Sequence, residues 1–90
     1  MIDDLVSQLR SEDEDERRAA VEALDDLDDP RTIEPLARVL RDQEEDEFVR
    51  RAALLALGDF GEATRGLVEE AAGDRSSVLR DEARLLLRRR

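Results

Sequence analysis

Arg17-Arg18-Ala19-Ala20-Val21-Glu22-Ala23-Leu24-Asp25-Asp26-Leu27 returns 33 residues later as Arg50-Arg51-Ala52-Ala53-Leu54-Leu55-Ala56-Leu57-Gly58-Asp59-Phe60, with seven of the eleven positions identical. Self-similarity at a period of this size is the sequence mark of stacked supersecondary units, none of which buries its apolar face alone. A weaker third copy, Arg80-Asp81-Glu82-Ala83-Arg84-Leu85-Leu86-Leu87, follows thirty residues further on and keeps the arginine, the small Ala83 and the large Leu87. Acids precede the heads of the first two copies at matching places. Asp13 and Glu14 stand four residues before Arg17 and Arg18, as Asp46 and Glu47 do before Arg50 and Arg51. Acid before base at this spacing predicts helical pairs worth roughly 0.2 to 0.5 kcal/mol each.

Helices of a second kind are predicted between these copies. The clearest is Thr32 to Arg41, with Ile33, Leu36, Ala37 and Leu40 on one face. Asp28-Asp29-Pro30 makes a turn before it, Thr32 is placed to cap it, and Pro35 falls in its first turn, where a missing N–H costs little. Its counterparts are Glu62 to Ala72, carrying Leu67, Val68 and Ala71, and Ile2 to Arg10, carrying Leu5, Val6 and Leu9. About six short helices result, each too short to persist alone and each with an apolar stripe that needs neighbours.

Composition agrees with a helical core. Hydrophobic residues form 40% of the chain but aromatics 2%, so the interior is built from Leu, Ala, Val and Ile, and four glycines and two prolines are too few for many strand turns. Ninety residues set the expectation of one domain, 1–90, which buries roughly 60 to 65% of the surface its unfolded chain exposes.

Asp29-Pro30-Arg31-Thr32-Ile33-Glu34-Pro35-Leu36 with Leu40 and Asp42, then Val49-Arg50-Arg51-Ala52-Ala53 and Ala56-Leu57-Gly58, resemble HEAT repeats of the phycobilisome-lyase type over essentially the whole chain. The resemblance implies an all-α fold, a short right-handed α-α superhelix. It also implies that Arg17, Arg50 and Arg80 pair with acids in the inter-helix turns as a ladder between repeats. Departures from the pattern are Glu16 where the family usually has Val, a linker from Asp42 to Phe48 two residues longer than the one after Leu9, and a third repeat that stops after one helix.

The charge balance sets 25 acids against 15 arginines, with no lysine, for a formal charge of −10. Such a surface is soluble but self-repelling until salt screens it. An Asp-rich surface without Lys resembles proteins of haloarchaea; a GC-rich genome favouring Arg over Lys is the other explanation. The absence of cysteine leaves no disulfide, thiolate nucleophile or zinc-thiolate site. The start lacks a leader-like pattern and the longest apolar run, Ala52 to Leu57, is too short to span a bilayer, so the expectation is a cytoplasmic protein without membrane partners.

Without His or Cys there is no ordinary imidazole base, Cys nucleophile or His-rich metal site, and no enzyme activity or cofactor is expected. The acidic runs Glu12 to Glu16 and Asp42 to Glu47 lack the glycine and spacing of a calcium loop and read as solvated segments. Asp59-Phe60-Gly61 lies in a chain far too short for a kinase, so Gly58 and Gly61 read as helix stops and Phe60 as core. Arg88-Arg89-Arg90 complements a helix C-terminal dipole, and the net charge opposes nucleic-acid binding.

A protein-binding face remains. The resemblance places the Val-Arg helices on the concave side. Helical spacing from Ala20, Leu24, Ala53, Leu57, Ala83 and Leu87 leaves Arg18, Glu22, Asp25, Arg51, Leu55, Asp81, Arg84 and Arg88 pointing outward. Arg18, Glu22, Arg51, Leu55, Arg84 and Arg88 are the candidate contacts with another protein, Leu55 foremost, since a stranded leucine flanked by arginines suits a hot spot. The expected role is a scaffold for protein–protein interaction, in a monomer or weak homo-oligomer. The alternatives are a self-associating structural module, joined through Leu85, Leu86 and Leu87 of an unpaired last helix, and a noncatalytic subunit of a lyase-type enzyme complex.

Overall fold

The computed structural model describes residues 1–89; Arg90, the last of the three terminal arginines, lies outside the described residues. Six α-helices and no strand occur among the described residues: α1 (Ile2–Gln8), α2 (Glu14–Leu27), α3 (Ile33–Arg41), α4 (Glu47–Gly58), α5 (Arg65–Ala71) and α6 (Ser77–Arg88). Single 3-10 turns, Pro30–Thr32 and Gly61–Thr64, lead into α3 and α5. Helices this short gain their stability from packing rather than from propensity. The α1/α2, α3/α4 and α5/α6 pairs form hairpins, and α4 packs against α2 on one side and α6 on the other. This is an all-α solenoid.

The caps recur with the sequence repeat. Asp13 accepts a hydrogen bond from the N–H of Asp15, Asp46 from those of Phe48 and Val49, and Ser76 from that of Leu79, so each even-numbered helix starts at the same register. Left-handed backbone recurs too: Asp28 after α2 has φ 48° and Gly61, 33 residues on, has φ 64°. Gly58 is the last residue of α4, but the left-handed geometry of a glycine stop is found at Gly61. Ala20, Ala53 and Ala83 share one register position and are all fully buried, which lets α2, α4 and α6 approach closely. Leu24, Leu36, Leu54, Leu57 and Leu79 fill the space around them.

The arginines that head the copies tie the layers together. Arg17 donates to the Ser11 carbonyl behind it at 2.8 Å and to both carboxylate oxygens of Glu45 ahead, at 2.8 and 2.9 Å. Arg50 repeats the arrangement one layer on, donating to the Leu40 carbonyl at 2.9 Å and to both oxygens of Asp74. Arg80 keeps the backward half alone, donating to the carbonyls of Asp74 and Arg75. Two complete rungs and one half-rung form the ladder implied by the resemblance.

Several expectations change. The predicted pairs from Asp13, Glu14, Asp46 and Glu47 to the arginines four residues on are not the ones formed. Asp13 and Asp46 serve as caps, Glu47 accepts from Ser76, and Arg17 and Arg50 take bidentate partners across the layers, where less water screens them. Thr32 does not cap α3. It is fully buried and its hydroxyl donates to the Asp29 carbonyl at 2.8 Å, while Asp29 itself accepts from the N–H of Arg31. The connections entering α2, α4 and α6 are residues 9–13, 42–46 and 72–76, five in each, so the linker after α3 is not longer; α1 simply ends at Gln8, short of the predicted Arg10. Nor is the third repeat a single helix, because α5 pairs with α6 and α6 also packs on α4. In consequence Leu86 is buried, Leu87 is half-buried and only Leu85 is well exposed, at 46%. Phe60 is half-buried at the rim of the core rather than in it.

The acidic runs are less idle than predicted. Glu45 closes the first rung, and Ser11 donates to Glu16 at 2.8 Å.

Candidate functional site

The register established by the caps sorts the candidate residues. Arg18, Arg51 and Asp81 occupy one position of α2, α4 and α6, and Glu22, Leu55 and Leu85 occupy the next position along the same helix faces, one turn on. Together they form the outward surface of the α2, α4, α6 row. Arg84 and Arg88 do not register with them. Arg84 stands where Val21 and Leu54 lie buried, and Arg88 where Asp25 and Gly58 face the following layer, so these two belong to the end of the stack.

On the row surface, Arg51 bridges two helices, its Nε donating to the Glu82 carboxylate at 3.0 Å. Glu82 is almost fully buried, so the pair ties Arg51 down and leaves one edge of its guanidinium toward solvent. Arg18 makes only a loose pair with Asp15 at 3.8 Å, and Glu22 is exposed. Leu55 is half-buried, with its base packed on the core cluster, beside the more exposed Leu85. Sequence reasoning singled out Leu55 but assigned Leu85 to a different surface; the thirty-residue offset from Leu55 was the signal that groups them.

Beyond the leucines, at the α2 and α4 ends, Asp25 lies against Asp59. Burial and that contact push the Asp25 carboxyl up to about 6, with Asp26 and Asp28 adding repulsion. In the rungs the opposite holds: Arg50 lowers the Asp74 carboxyl below its usual range, and Glu45 raises Arg17. The row surface therefore runs from arginine, through two leucines, to Asp25, whose carboxyl holds its proton to higher pH than an ordinary aspartate.

The odd-numbered helices form a different surface. An open hollow of about 620 Å³ lies between α1 and α3, bordered by Ile2, Val6, Leu27, Pro35 and Arg38. A smaller one of about 190 Å³ lies between α3 and α5, spanned by Arg41 and Glu70 at 2.9 Å. No group of three or more acids in a metal-holding arrangement occurs among the described residues, and no helix there is long and apolar enough to cross a membrane.

A family model described as HEAT repeats matches residues 2–88. No curated protein matches the chain.

Proposed function

We propose, from the premise that this chain belongs to the HEAT repeat family, that it is a small noncatalytic scaffold binding another protein through the outward surface of α2, α4 and α6. HEAT repeats commonly mediate protein–protein interaction or scaffolding. The observation that carries the specific face is the pair Leu55 and Leu85. They are neighbouring partly exposed leucines on a surface that otherwise carries mostly charge, with the exposed Phe48 one turn before Arg51, beside an arginine held in place by Glu82. Apolar area ringed by polar groups, with a pre-ordered guanidinium at its edge, is the anatomy of a contact centre. The odd-numbered row offers hollows with no comparable leucine pair.

The test is affinity capture at the salt of the source cytoplasm with wild-type chain, Leu85→Asp, Arg51→Glu and Arg38→Glu, the last lying on the odd row. Each variant is first checked by its melting curve. The expected result is a partner retained by wild type and Arg38→Glu but lost by Leu85→Asp and Arg51→Glu. A partner set indifferent to Leu85→Asp, or lost by Arg38→Glu alone, would move the function off this face.

The uncompensated acidity motivates a second element of the proposal, that the chain works in a cytoplasm of concentrated salt, as a haloarchaeal protein would. The melting temperature is then expected to climb from low to molar potassium chloride; a flat series removes this part and leaves the binding face untouched.

A further inference from the structure

The stack has two ends, and each breaks the repeat at the position where a further layer would pack. At the α2 end, Glu16 is exposed where Val49 and Leu79 are fully buried in the later copies. At the α6 end, Arg84 is exposed where Val21 and Leu54 are buried. Polar residues at terminal layers keep an array soluble, but any charge would serve that purpose, and like charges at both ends would hold copies apart best. The ends instead carry opposite signs, at positions that register with one another.

The internal junctions show which positions meet. Arg17 reaches Glu45 and Arg50 reaches Asp74, each acid lying in the turn just before the next even-numbered helix. Glu45 precedes its cap Asp46 by one residue, as Glu12 precedes Asp13, whereas Asp74 stands two before its cap Ser76, where the first turn has Ser11; the corresponding arginine without a carboxylate among the described residues is Arg80. Val21 and Leu54, and likewise Val49 and Leu79, are buried in one core cluster at the positions held at the ends by Arg84 and Glu16. Asp25 lies against Asp59 across the first junction, so the position of Arg88 faces the next helix near its end, where α2 carries Asp26; across the second junction a side chain added at Gly58 would meet Leu86, whose counterpart in α2 is Ala23. Asp81, the one acid on that side of α6, sits at the position of Arg51, which reaches position 82; the matching residue in α2 is Ala19, so no two acids are brought together. Arg84 and Arg88 have no acid partner within the described residues, which leaves both free to find one.

We infer that copies of this chain bind head to tail, Arg80, Arg84 and Arg88 of one copy meeting Glu12, Glu16 and Asp26 of the next as a continuation of the repeat. The contact is heterologous, so it generates open rods rather than closed dimers. It is driven by charge and not by Leu85, Leu86 and Leu87. The net charge of −10 opposes it at low ionic strength. At about 0.15 M salt the screening length falls to about 8 Å, which removes most repulsion between copies and spares pairs in direct contact.

Sedimentation equilibrium of the 90-residue chain at that salt, over a range from micromolar to millimolar, tests the inference. The expected result is an average mass that rises continuously past that of a dimer. Arg84→Glu and Glu16→Arg, both at exposed positions, should each weaken association about tenfold or more, as direct like-charge contacts do. An equimolar mixture of the two variants should recover it, because each then offers the other a matching end. A monomer throughout, an assembly that stops at two copies, swaps without effect, or a mixture that fails to recover would each overturn the inference. The capture experiment above uses a different face and is decided separately.

Discussion

The two internal junctions of the stack, α2 on α4 and α4 on α6, are built to one plan with different materials. The second has the drier rung, with the Arg50 and Asp74 side chains exposed by only 4% and 10%, and it adds the Arg51–Glu82 bridge. The first has a rung whose arginine is 19% exposed, sets Asp25 against Asp59, and follows a helix, α1, without a single buried residue. A repeat array is approximately a chain of nearest-neighbour couplings, so unequal junctions mean unequal stability along the rod. The lesson is that the Ala/Leu skeleton sets the fold, while the charged residues laid over it decide which layer loosens first.

The largest expected effect lies in the rungs. Arg50→Ala strips a bidentate partner from Asp74 and a donor from the Leu40 carbonyl, and is expected to cost about 3 kcal/mol by chemical denaturation. Arg17→Ala should cost clearly less, because its site is wetter. Equal losses would erase the contrast between the junctions. Amide hydrogen exchange sharpens it further, with α1 and the first turn of α2 expected to exchange well before α4 and α6.

The carboxylate pair gives the next effect, and its sign is opposite to that of the rungs. The Asp25 pKa is raised on folding, so its cost is absent below about pH 4, grows as the group ionises, and is complete above about pH 6. The full shift would correspond to roughly 3 kcal/mol, and solvent screening reduces this to about 1. Asp74, whose pKa is lowered, contributes fully above about pH 4 and its contribution is lost on further acidification. Stability is therefore expected to peak near pH 4, and Asp25→Asn should raise stability at pH 7 and flatten the fall between about pH 4 and 6. A wild-type profile that rises through that interval contradicts the pairing.

The smallest effect tests the backbone. Asp28 and Gly61 share left-handed geometry, so Asp28→Gly is expected to stabilise by about 0.5 to 1 kcal/mol, observed as a rise in melting temperature. A loss of stability would indicate that the Asp28 side chain contributes more than its strained backbone costs.

Much of this plan was legible in the residues. The 33-residue copy located α2 and α4, the resemblance to HEAT repeats implied the ladder, and the apolar spacing from Ile33 to Leu40 gave α3 its buried face. What was hidden depends on packing between layers. The phase of the hairpins follows from α6 packing on both α5 and α4, which no periodicity within one helix reveals, and it moved Leu86 into the core. Local spacing offered the arginines acids four residues away, whereas the fold supplies better partners 28 and 24 residues along the chain. The candidate face was half legible for the same reason. Arg18, Glu22, Arg51 and Leu55 share it, but Arg84 and Arg88 stand at the positions of Leu54 and Gly58, which face the following helix.

The ladder is tested most directly by a double-mutant cycle on Arg50→Ala and Asp74→Ala, read by denaturant unfolding. A carboxylate and guanidinium joined across two layers should couple by about 1.5 kcal/mol or more, with the double variant less damaged than the sum of the single ones. Strictly additive losses would mean that Arg50 does not bind the turn ahead of it, and the stacked arrangement of these helices would not stand.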